Sequence, residues 1–263
     1  MGFDEILTRE SDDSSAVADS TEVGCATCPS RSLCWSAGIA GNETRWYDHL
    51  KFTRRRLKRG DALYHMGDHF ESIYAVHSGF FKTRILLEDG RDYVTSFRMN
   101  GELLGFDGIA AQTHVCDAIA LEDSVVCIIP FHRLFHIVDK VQSLGVVLMR
   151  ILSQEIVREQ QIMALLATMP ADERVVTFLL NLSARFNERQ YSATCFVLRM
   201  TREEIGSYIG LKLETVSRVL SRLQSEKLIQ VRHGKEISLL DIDKMKTTSS
   251  RRFKRLARMK VRV

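Results

Sequence analysis

Three of the six cysteines of this chain stand within ten residues, in the segment CATCPSRSLC. Cys25, Cys28 and Cys34 have the spacing C-x2-C-x5-C, and thiolates spaced in this way are ligands for zinc or for an iron–sulfur cluster. A tetrathiolate site needs a fourth cysteine. Three candidates lie later in the chain: Cys116, Cys127 and Cys195. The local sequence around each is typical of an inert apolar cysteine. The cysteines alone therefore leave zinc, a cluster and a metal-free thiol switch open.

Residues 201–224, TREEIGSYIGLKLETVSRVLSRLQ, have the pattern of a helix-turn-helix. Thr201 and Glu204 form a capping box that begins a short helix. Gly210 permits the tight turn after which a second helix crosses the first. The following segment, LIQVRHGKEISLL, predicts two strands joined by a turn at His233, which is the wing of a winged helix.

The second of these helices has an apolar face and a polar face. Glu214, Ser217 and Arg218 share the polar face. A carboxylate can accept a hydrogen bond from cytosine N4, a hydroxyl can contact thymine, and a guanidinium can bind guanine O6 and N7 together. An i,i+4 ion pair between Glu214 and Arg218 on a solvated face is the alternative. The pattern favours binding to double-stranded DNA.

A long helix is predicted from about Ile137 to Thr168, and it carries a stripe of residues at alternating steps of three and four. The stripe consists of Met149, Leu152, Ile156, Glu159, Met163 and Leu166. This is the spacing of a coiled-coil seam and predicts a homodimer, although an amphipathic helix lying on its own domain has the same pattern. Glu159 is the exception in the stripe, because in a parallel dimer it faces its own copy.

The remaining elements place these groups in an α+β chain. Between residues 55 and 130, short apolar segments alternate with glycine-containing turns, which predicts an antiparallel β-roll or sandwich. The predicted organisation has five parts: a disordered acidic leader (1–24), a sensor β-roll (25–136), a dimerisation helix (137–169), a winged helix-turn-helix (170–243) and a basic tail (244–263).

Composition limits the classes of function. The 263 residues are 45% hydrophobic and 27% charged, and no apolar run approaches the ~20 residues that span a bilayer. No basic segment leads into an apolar one at the N-terminus, so a cytoplasmic protein with reduced thiols and no membrane partner is expected. Neither a nucleophile–base constellation nor a phosphate-binding glycine loop is evident, so no enzymatic activity is predicted.

The order of β-roll, long helix and winged helix-turn-helix over residues 25–243 resembles the CRP/FNR family of dimeric transcription regulators. The family's DNA-contacting pattern E-x-x-S/T-R is matched by Glu214-Thr215-Val216-Ser217-Arg218, and its Glu-Ser-Arg form is that of the FNR branch. The resemblance implies that the sensor domain is a jelly roll like the cyclic-nucleotide-binding domains. It also implies palindromic sites with TTGAT half-sites, in which Arg218 and Glu214 read the G·C pair and Ser217 contacts a thymine.

The FNR branch combines three N-terminal cysteines at the present spacing with a fourth in a V-C-x-I-P-F context. The segment Val126-Cys127-Ile128-Ile129-Pro130-Phe131 matches that context. The resemblance therefore implies that Cys25, Cys28, Cys34 and Cys127 ligate a [4Fe–4S] cluster, and four soft thiolates suit such a cluster.

Cyclic nucleotides, the ancestral ligands of the family, are not expected to bind. Gly101-Glu102-Leu103 matches the ribose motif of those members. Their phosphate-binding Arg-Ser or Arg-Thr pair is absent, because this chain has Thr113-His114-Val115-Cys116-Asp117-Ala118 in its place. A buried phosphate beside an acid and without a guanidinium would be uncompensated.

The function implied by the resemblance is oxygen-responsive control of anaerobic or microaerobic genes, by activation or repression. With little oxygen the cluster promotes dimerisation through the helix at Ile156, overcoming repulsion at Glu159, where the best-known pattern has Asp. The dimer would bind DNA and contact RNA polymerase, in part through the turn at residues 87–91. The alternatives are a family regulator with a zinc, haem or thiol sensor, and an iron–sulfur redox protein.

Overall fold

The structure is a computed structural model that describes residues 23–25, 28, 30–34, 37, 51–88, 90–140 and 142–248. The chain divides into two compact units, Met1–Ser153 and Gln154–Val263. No helix within the described residues has the length and apolar character needed to cross a membrane.

Among its described residues, the first unit contains nine β-strands and two 3-10 helices, and α-helical structure follows its last strand. The strands are β1 (Val23–Gly24), β2 (Lys51–Leu57), β3 (Ala62–Tyr64), β4 (Ser72–Ser78), β5 (Phe80–Leu86), β6 (Asp92–Met99), β7 (Leu103–Leu104), β8 (Asp117–Ala120) and β9 (Ser124–Pro130). One sheet has the order β1-β2-β9-β4-β7 and the other has the order β3-β8-β5-β6. Every pairing is antiparallel, which confirms the predicted β-roll.

A hydrophobic cluster of nine buried residues, here called the sensor core, joins the five-stranded sheet to the first helices. Its members are Phe52, Phe70, Ile73, Ala75, Leu103, Ile129, Leu134, Leu144 and Val147. Fully burying a side chain of this size contributes roughly 1.5–3 kcal/mol, so the cluster is a principal source of stability for this unit.

The predicted long helix is present as two helices, α1 (Phe131–Lys140) and α2 (Gln142–Thr168). The helical region thus begins earlier than the predicted position near Ile137. Strand β9 ends at Pro130, and the next residue, Phe131, donates its backbone N–H to the carbonyl of Glu71 at 2.9 Å. The apolar residues spaced at steps of three and four all lie in α2, so this pattern does not predict α1.

The second unit continues with helices α3 (Ala171–Glu188), α4 (Arg202–Ile209), α5 (Leu213–Ser225) and α6 (Ile242–Thr248). Its strands are β10 (Cys195–Val197), β11 (Ile229–Arg232) and β12 (Glu236–Leu239), in the sheet order β10-β12-β11. Strands β11 and β12 are the predicted wing. Strand β10 was missed because its three residues are too few for a periodic pattern.

The helix-turn-helix is confirmed. The Thr201 hydroxyl accepts a hydrogen bond from the backbone N–H of Glu204, whose carboxylate accepts one from the backbone N–H of Thr201. Gly210 has a φ of 65° and ends α4 in the left-handed conformation that favours glycine. The apolar face of α5, formed by Val216, Leu220 and others, is buried, and this burial leaves its polar face outward.

Candidate cysteine cluster and DNA-binding surface

The N-terminal cysteines lie on a loop that begins at the edge of the five-stranded sheet. Strand β1 pairs with β2, with Gly24 opposite Lys51, and Cys25 follows directly. The backbone N–H of Cys28 donates to the carbonyl of Cys25 at 3.2 Å. A single 3-10 turn at Arg31–Leu33 then leads to Cys34, whose N–H donates to the carbonyl of Ser30 at 3.0 Å. These bonds fold the loop back on itself, so its thiols are held near one another.

Two contacts dock this loop on the β-roll. The Ser30 hydroxyl donates to the carbonyl of His77 at 3.3 Å. Gly101, with a φ of 86°, lies so close to the loop that a Cβ atom there would be 2.4 Å from the carbonyl oxygen of Leu33. The glycine of the Gly-Glu-Leu motif therefore permits a close backbone approach of the cysteine loop.

Cys127 lies on β9, flanked by Arg54 on β2 and Ala75 on β4. It is partly buried and packs against the sensor core, as Cys25 and Cys34 do. The three thiols thus share one apolar surface, although Cys127 is about ninety positions distant in the sequence.

The other three cysteines all influence the pKa of Cys25. Burial, followed by the neighbouring thiolates of Cys34, Cys127 and Cys28, raises the pKa of Cys25 to about 12. Burial also raises the pKa of Cys127, and the charge of Cys28 acts in the same direction. Neighbouring thiolates repel one another in this environment, so a bound cationic centre is what would stabilise their ionised forms.

Two residues that the sequence did not single out also contact Cys28. The Cys28 Sγ atom lies 3.7 Å from His77 Nδ1, and Arg54 Nη2 donates to the same sulfur at 3.7 Å. Alternation along β2 places Arg54 and Arg56 on one face. The pairing of Arg54 with Cys127 depends on strand register, which the sequence does not reveal.

The described His, Cys, Asp and Glu side chains include no group of three or more that could hold a single metal ion. Four thiolates around one zinc would each lie about 2.3 Å from it. A [4Fe–4S] cluster attaches its four cysteines to four different irons, so it accepts sulfurs that are farther apart. Four cysteine thiolates of this kind can hold either zinc or a [4Fe–4S] cluster.

The other two cysteines lie elsewhere. Cys195 is exposed on β10 and accepts a hydrogen bond from the Ser238 hydroxyl at 3.7 Å. Cys116 is buried and donates to Asp107 Oδ2 at 3.5 Å. Burial and the charge of Asp107 raise the pKa of Cys116 to about 12. Neither residue is among those whose charges act on Cys25.

Residues 113–118, which stand in place of the phosphate-binding pair, take part in a polar network around Asp107. His114 stacks on Tyr64 with ring centroids 3.6 Å apart. Asp107 Oδ2 lies 3.2 Å from His114 Nδ1 and accepts the backbone N–H of Val115 at 3.0 Å, and Oδ1 accepts the Tyr64 hydroxyl at 3.1 Å. Burial favours neutral Asp107, yet the interactions with His114, Val115 and Tyr64 prevail and lower its pKa.

The three predicted DNA-contacting residues lie at the N-terminal half of α5. Arg202 Nη1 donates to the Ser217 hydroxyl at 3.2 Å, and Arg218 Nη2 donates to the Thr215 hydroxyl at 3.2 Å. The Glu214 carboxylate is exposed, and the described residues offer it neither a hydrogen bond nor an ion pair. The alternative i,i+4 pair between Glu214 and Arg218 is therefore not formed.

The stripe on α2 is largely open to solvent in the single chain. Met149, Ile156 and Met163 are 66%, 57% and 60% exposed, whereas Leu165 on another face of the helix is buried. Leu152 is partly exposed, and Glu159 is exposed. Large apolar side chains aligned in this way are typical of a protein–protein interface.

Comparisons with known proteins agree with this architecture. A cyclic nucleotide-binding domain model matches residues 54–141, and a Crp-like helix-turn-helix domain model matches residues 173–248. The transcriptional activator protein Anr of Pseudomonas protegens is 43% identical over 217 residues, covering 82% of this chain and 88% of that protein. The fumarate and nitrate reduction regulatory protein of Vibrio cholerae is 37% identical over 219 residues, covering 83% and 87%.

Among solved structures, FixK2 from Bradyrhizobium japonicum superposes with a TM-score of 0.70 at 27% identity, covering 76% of this chain and 98% of that one. The helix-turn-helix, the β-roll and these relatives lead to one assignment. The chain belongs to the CRP/FNR family, in its FNR branch, and is a DNA-binding transcription regulator rather than an enzyme.

Proposed function

We propose that this regulator responds to oxygen through a [4Fe–4S] cluster held by Cys25, Cys28, Cys34 and Cys127. The observation that carries the proposal is the mutual approach of these thiols, three from one loop and one from β9. Cys25, Cys34 and Cys127 pack against the sensor core, and the charge of Cys28 acts on both Cys25 and Cys127. When bound, such a cluster supplies oxygen sensitivity that the protein side chains lack.

The sensor core also provides a route from the cysteines to the dimer helix. Cys34 and Cys127 pack against the same cluster that contains Leu134 of α1 and Leu144 and Val147 of α2. Because tightly packed cores transmit small displacements, a change at the cysteines would alter how the start of α2 is held.

The output that we propose is a homodimer, formed through Met149, Leu152, Ile156 and Met163 and opposed by Glu159. Two α5 helices would then bind a palindrome with TTGAT half-sites about one helical turn apart. Glu214, Ser217 and Arg218 would contact the bases, and the dimer would recruit RNA polymerase. The name of the Vibrio cholerae relative refers to fumarate and nitrate reduction, which supports target genes of anaerobic or microaerobic metabolism.

Metal analysis of protein purified under nitrogen tests the sensor. We expect about four irons and four sulfides per chain, with the visible absorbance of a thiolate-bound cluster that fades in air. Cys127→Ser should lose this iron, whereas Cys195→Ser, the matched control at an exposed cysteine, should retain it. One zinc per chain without iron would contradict the proposal in favour of a zinc sensor.

DNA binding tests the output separately. Fluorescence anisotropy with a TTGAT palindrome should show tight binding by the anaerobic protein and weak binding after exposure to air. Equal binding before and after exposure to air, with the cluster demonstrably lost, would refute oxygen control of DNA binding, but it would not contradict the proposal that the four cysteines bind a cluster.

A further inference from the structure

Arg54 occupies a position from which one side chain can reach two of the four cysteines. It lies directly opposite Cys127 in the antiparallel pair of β2 and β9. Side chains at directly opposite positions in such a pair share a face of the sheet, with Cβ atoms roughly 4.5–5.5 Å apart. The strand register therefore fixes Arg54 beside Cys127 independently of the cysteine loop.

The guanidinium of Arg54 contacts the loop as well. Its Nη2 donates to Cys28 Sγ at 3.7 Å. Its Nε atom is buried and has no hydrogen-bond partner within the described residues. One planar group thus contacts a thiol of the loop from a position opposite the cysteine of the strand, and it keeps a further donor in the interior.

Arg54 carries a positive charge, which is opposite in sign to the charge of cysteine thiolates. Four thiolates in a partly apolar site would make the cluster region anionic, and a charge-assisted N–H donor is stronger than a neutral one. The guanidinium of Arg54 donates to the sulfur of Cys28, and Arg54 stands opposite Cys127 in the sheet, so its positive charge would offset part of this negative charge.

Arg54 also lines a groove on the surface of the β-roll. A groove of about 560 Å³ runs along β2 and is lined by Arg54, Arg56, Lys58, His77 and Asp123 among others. Arg54 and His77, which contact Cys28, both line this groove, so the groove reaches two of the side chains around this sulfur.

We propose that Arg54 is a positioning residue for the cluster: from its place opposite Cys127, its hydrogen bond to Cys28 holds the loop ligand beside the strand ligand and slows the loss of iron. This inference rests on the proposed function, because it assumes a cluster on the four cysteines. Residues that orient metal ligands typically change metal affinity 10- to 100-fold when substituted.

The test compares three variants of the full chain purified under nitrogen: R54Q, R54K and R56Q. The rate of iron release to a ferrous chelator is followed without oxygen, so that it reports retention rather than DNA-binding activity. We expect R54Q to release iron roughly 10- to 100-fold faster than the wild type. R54K keeps the positive charge but lacks the planar guanidinium, so its rate of iron release should lie between those of R54Q and the wild type. R56Q is the matched control, because it removes the same charge from the same face of β2.

The outcomes are distinct. Equal rates for R54Q and the wild type would overturn the role of Arg54, and so would an equal acceleration by R56Q. R54Q that folds by circular dichroism but retains no iron would support the role in a stronger form. If R54Q does not fold, the rate of iron release from R54K provides the test, and a rate equal to that of the wild type would overturn the proposal. A wild type without iron and sulfide would instead refute the proposed function itself.

Discussion

Arg174 Nη2 donates a hydrogen bond of 2.7 Å to the backbone carbonyl of Leu166, so the first turn of α3 is tied to the last turn of α2. The same guanidinium donates through Nε to the carbonyl of Met169 at 2.8 Å. Through Nη1 it reaches the carbonyls of Ile209 and Gly210, at 3.2 and 3.3 Å, in the turn of the helix-turn-helix. One side chain therefore links the end of the long helix to the DNA-binding motif.

We expect Arg174→Ala to lower the free energy of unfolding of the second unit by about 2–4 kcal/mol, because carbonyls at both helix ends lose a charged donor. Binding to a palindromic site should weaken even where dimerisation, measured by sedimentation, is unchanged. Arg189→Ala is the matched control, because Arg189 donates to the carbonyl of Arg185 at the other end of α3, away from the turn of the helix-turn-helix. Equal effects of the two substitutions would refute the linking role.

Arg218→Ala should reduce site preference more than overall DNA affinity. A bidentate contact to guanine contributes roughly 1–3 kcal/mol of discrimination, so binding to the matched palindrome should fall about 5- to 150-fold. Binding to a palindrome substituted at the G·C pair should change little. Titration of both duplexes at one salt concentration provides the measurement, and a uniform loss on both would assign Arg218 to phosphate contact.

Glu159→Ala should strengthen the dimer of the cluster-free protein. Two carboxylates that meet at a partly dry seam repel by roughly 1–4 kcal/mol, and each 1.4 kcal/mol is tenfold in the dissociation constant. Sedimentation velocity of the protein prepared in air gives the dimer fraction. Gln160→Ala, at the exposed neighbouring position, should leave that fraction unchanged. If Glu159→Ala also leaves it unchanged, the acid does not oppose dimerisation.

Gly101→Ala should loosen the cysteine loop, because the new Cβ would lie 2.4 Å from the carbonyl oxygen of Leu33. We expect faster iron release to a chelator under nitrogen. Gly90→Ala is a close control, since Gly90 also has a positive φ, of 80°, but has nothing within 4 Å of its Cβ position. Both substitutions impose backbone strain of roughly 1 kcal/mol, so only the collision with the loop distinguishes them. Equal iron release by both would contradict the docking role of Gly101.

The sequence predicted the parts of the site that follow local rules. The capping box at Thr201, the left-handed turn at Gly210 and the polar face of α5 are encoded by residue type and helical spacing. The wing is encoded in the same local way. The fold class was predicted from strand punctuation together with the family resemblance.

Other parts depend on pairing between distant segments. Which strand lies beside Cys127, and hence the contact with Arg54, is decided by register between β2 and β9. The approach of Gly101 to Leu33 and the bonds from Arg174 to the carbonyls of Ile209 and Gly210 likewise join segments far apart in the chain. Single-sequence periodicity carries no information about such contacts, and the motif Gly-Glu-Leu suggested only a nucleotide pocket.

The buried network around Asp107 should make stability depend on pH. Although burial acts to raise it, the interactions with His114, Val115 and Tyr64 lower the pKa of Asp107 below its ordinary value of 3.8. A carboxyl group whose pKa is lower in the folded state than in the unfolded state contributes its full stabilisation at pH values above the unfolded-state pKa. That contribution is lost as the pH falls through the folded-state pKa. Asp107→Asn keeps the shape and removes the charge, so it should cost about 1–3 kcal/mol at neutral pH.

The decisive measurement is the difference in unfolding free energy between the wild type and Asp107→Asn, followed by circular dichroism in urea at several pH values. The difference should be constant from pH 7 to about pH 5 and should narrow below about pH 4, because this carboxyl then takes up a proton in the unfolded chain before it does so in the folded chain. Asp123→Asn serves as the control, because Asp123 is exposed and pairs with Lys58 at the surface. A difference that stays constant down to pH 3 would show that Asp107 is not held as a carboxylate by this network.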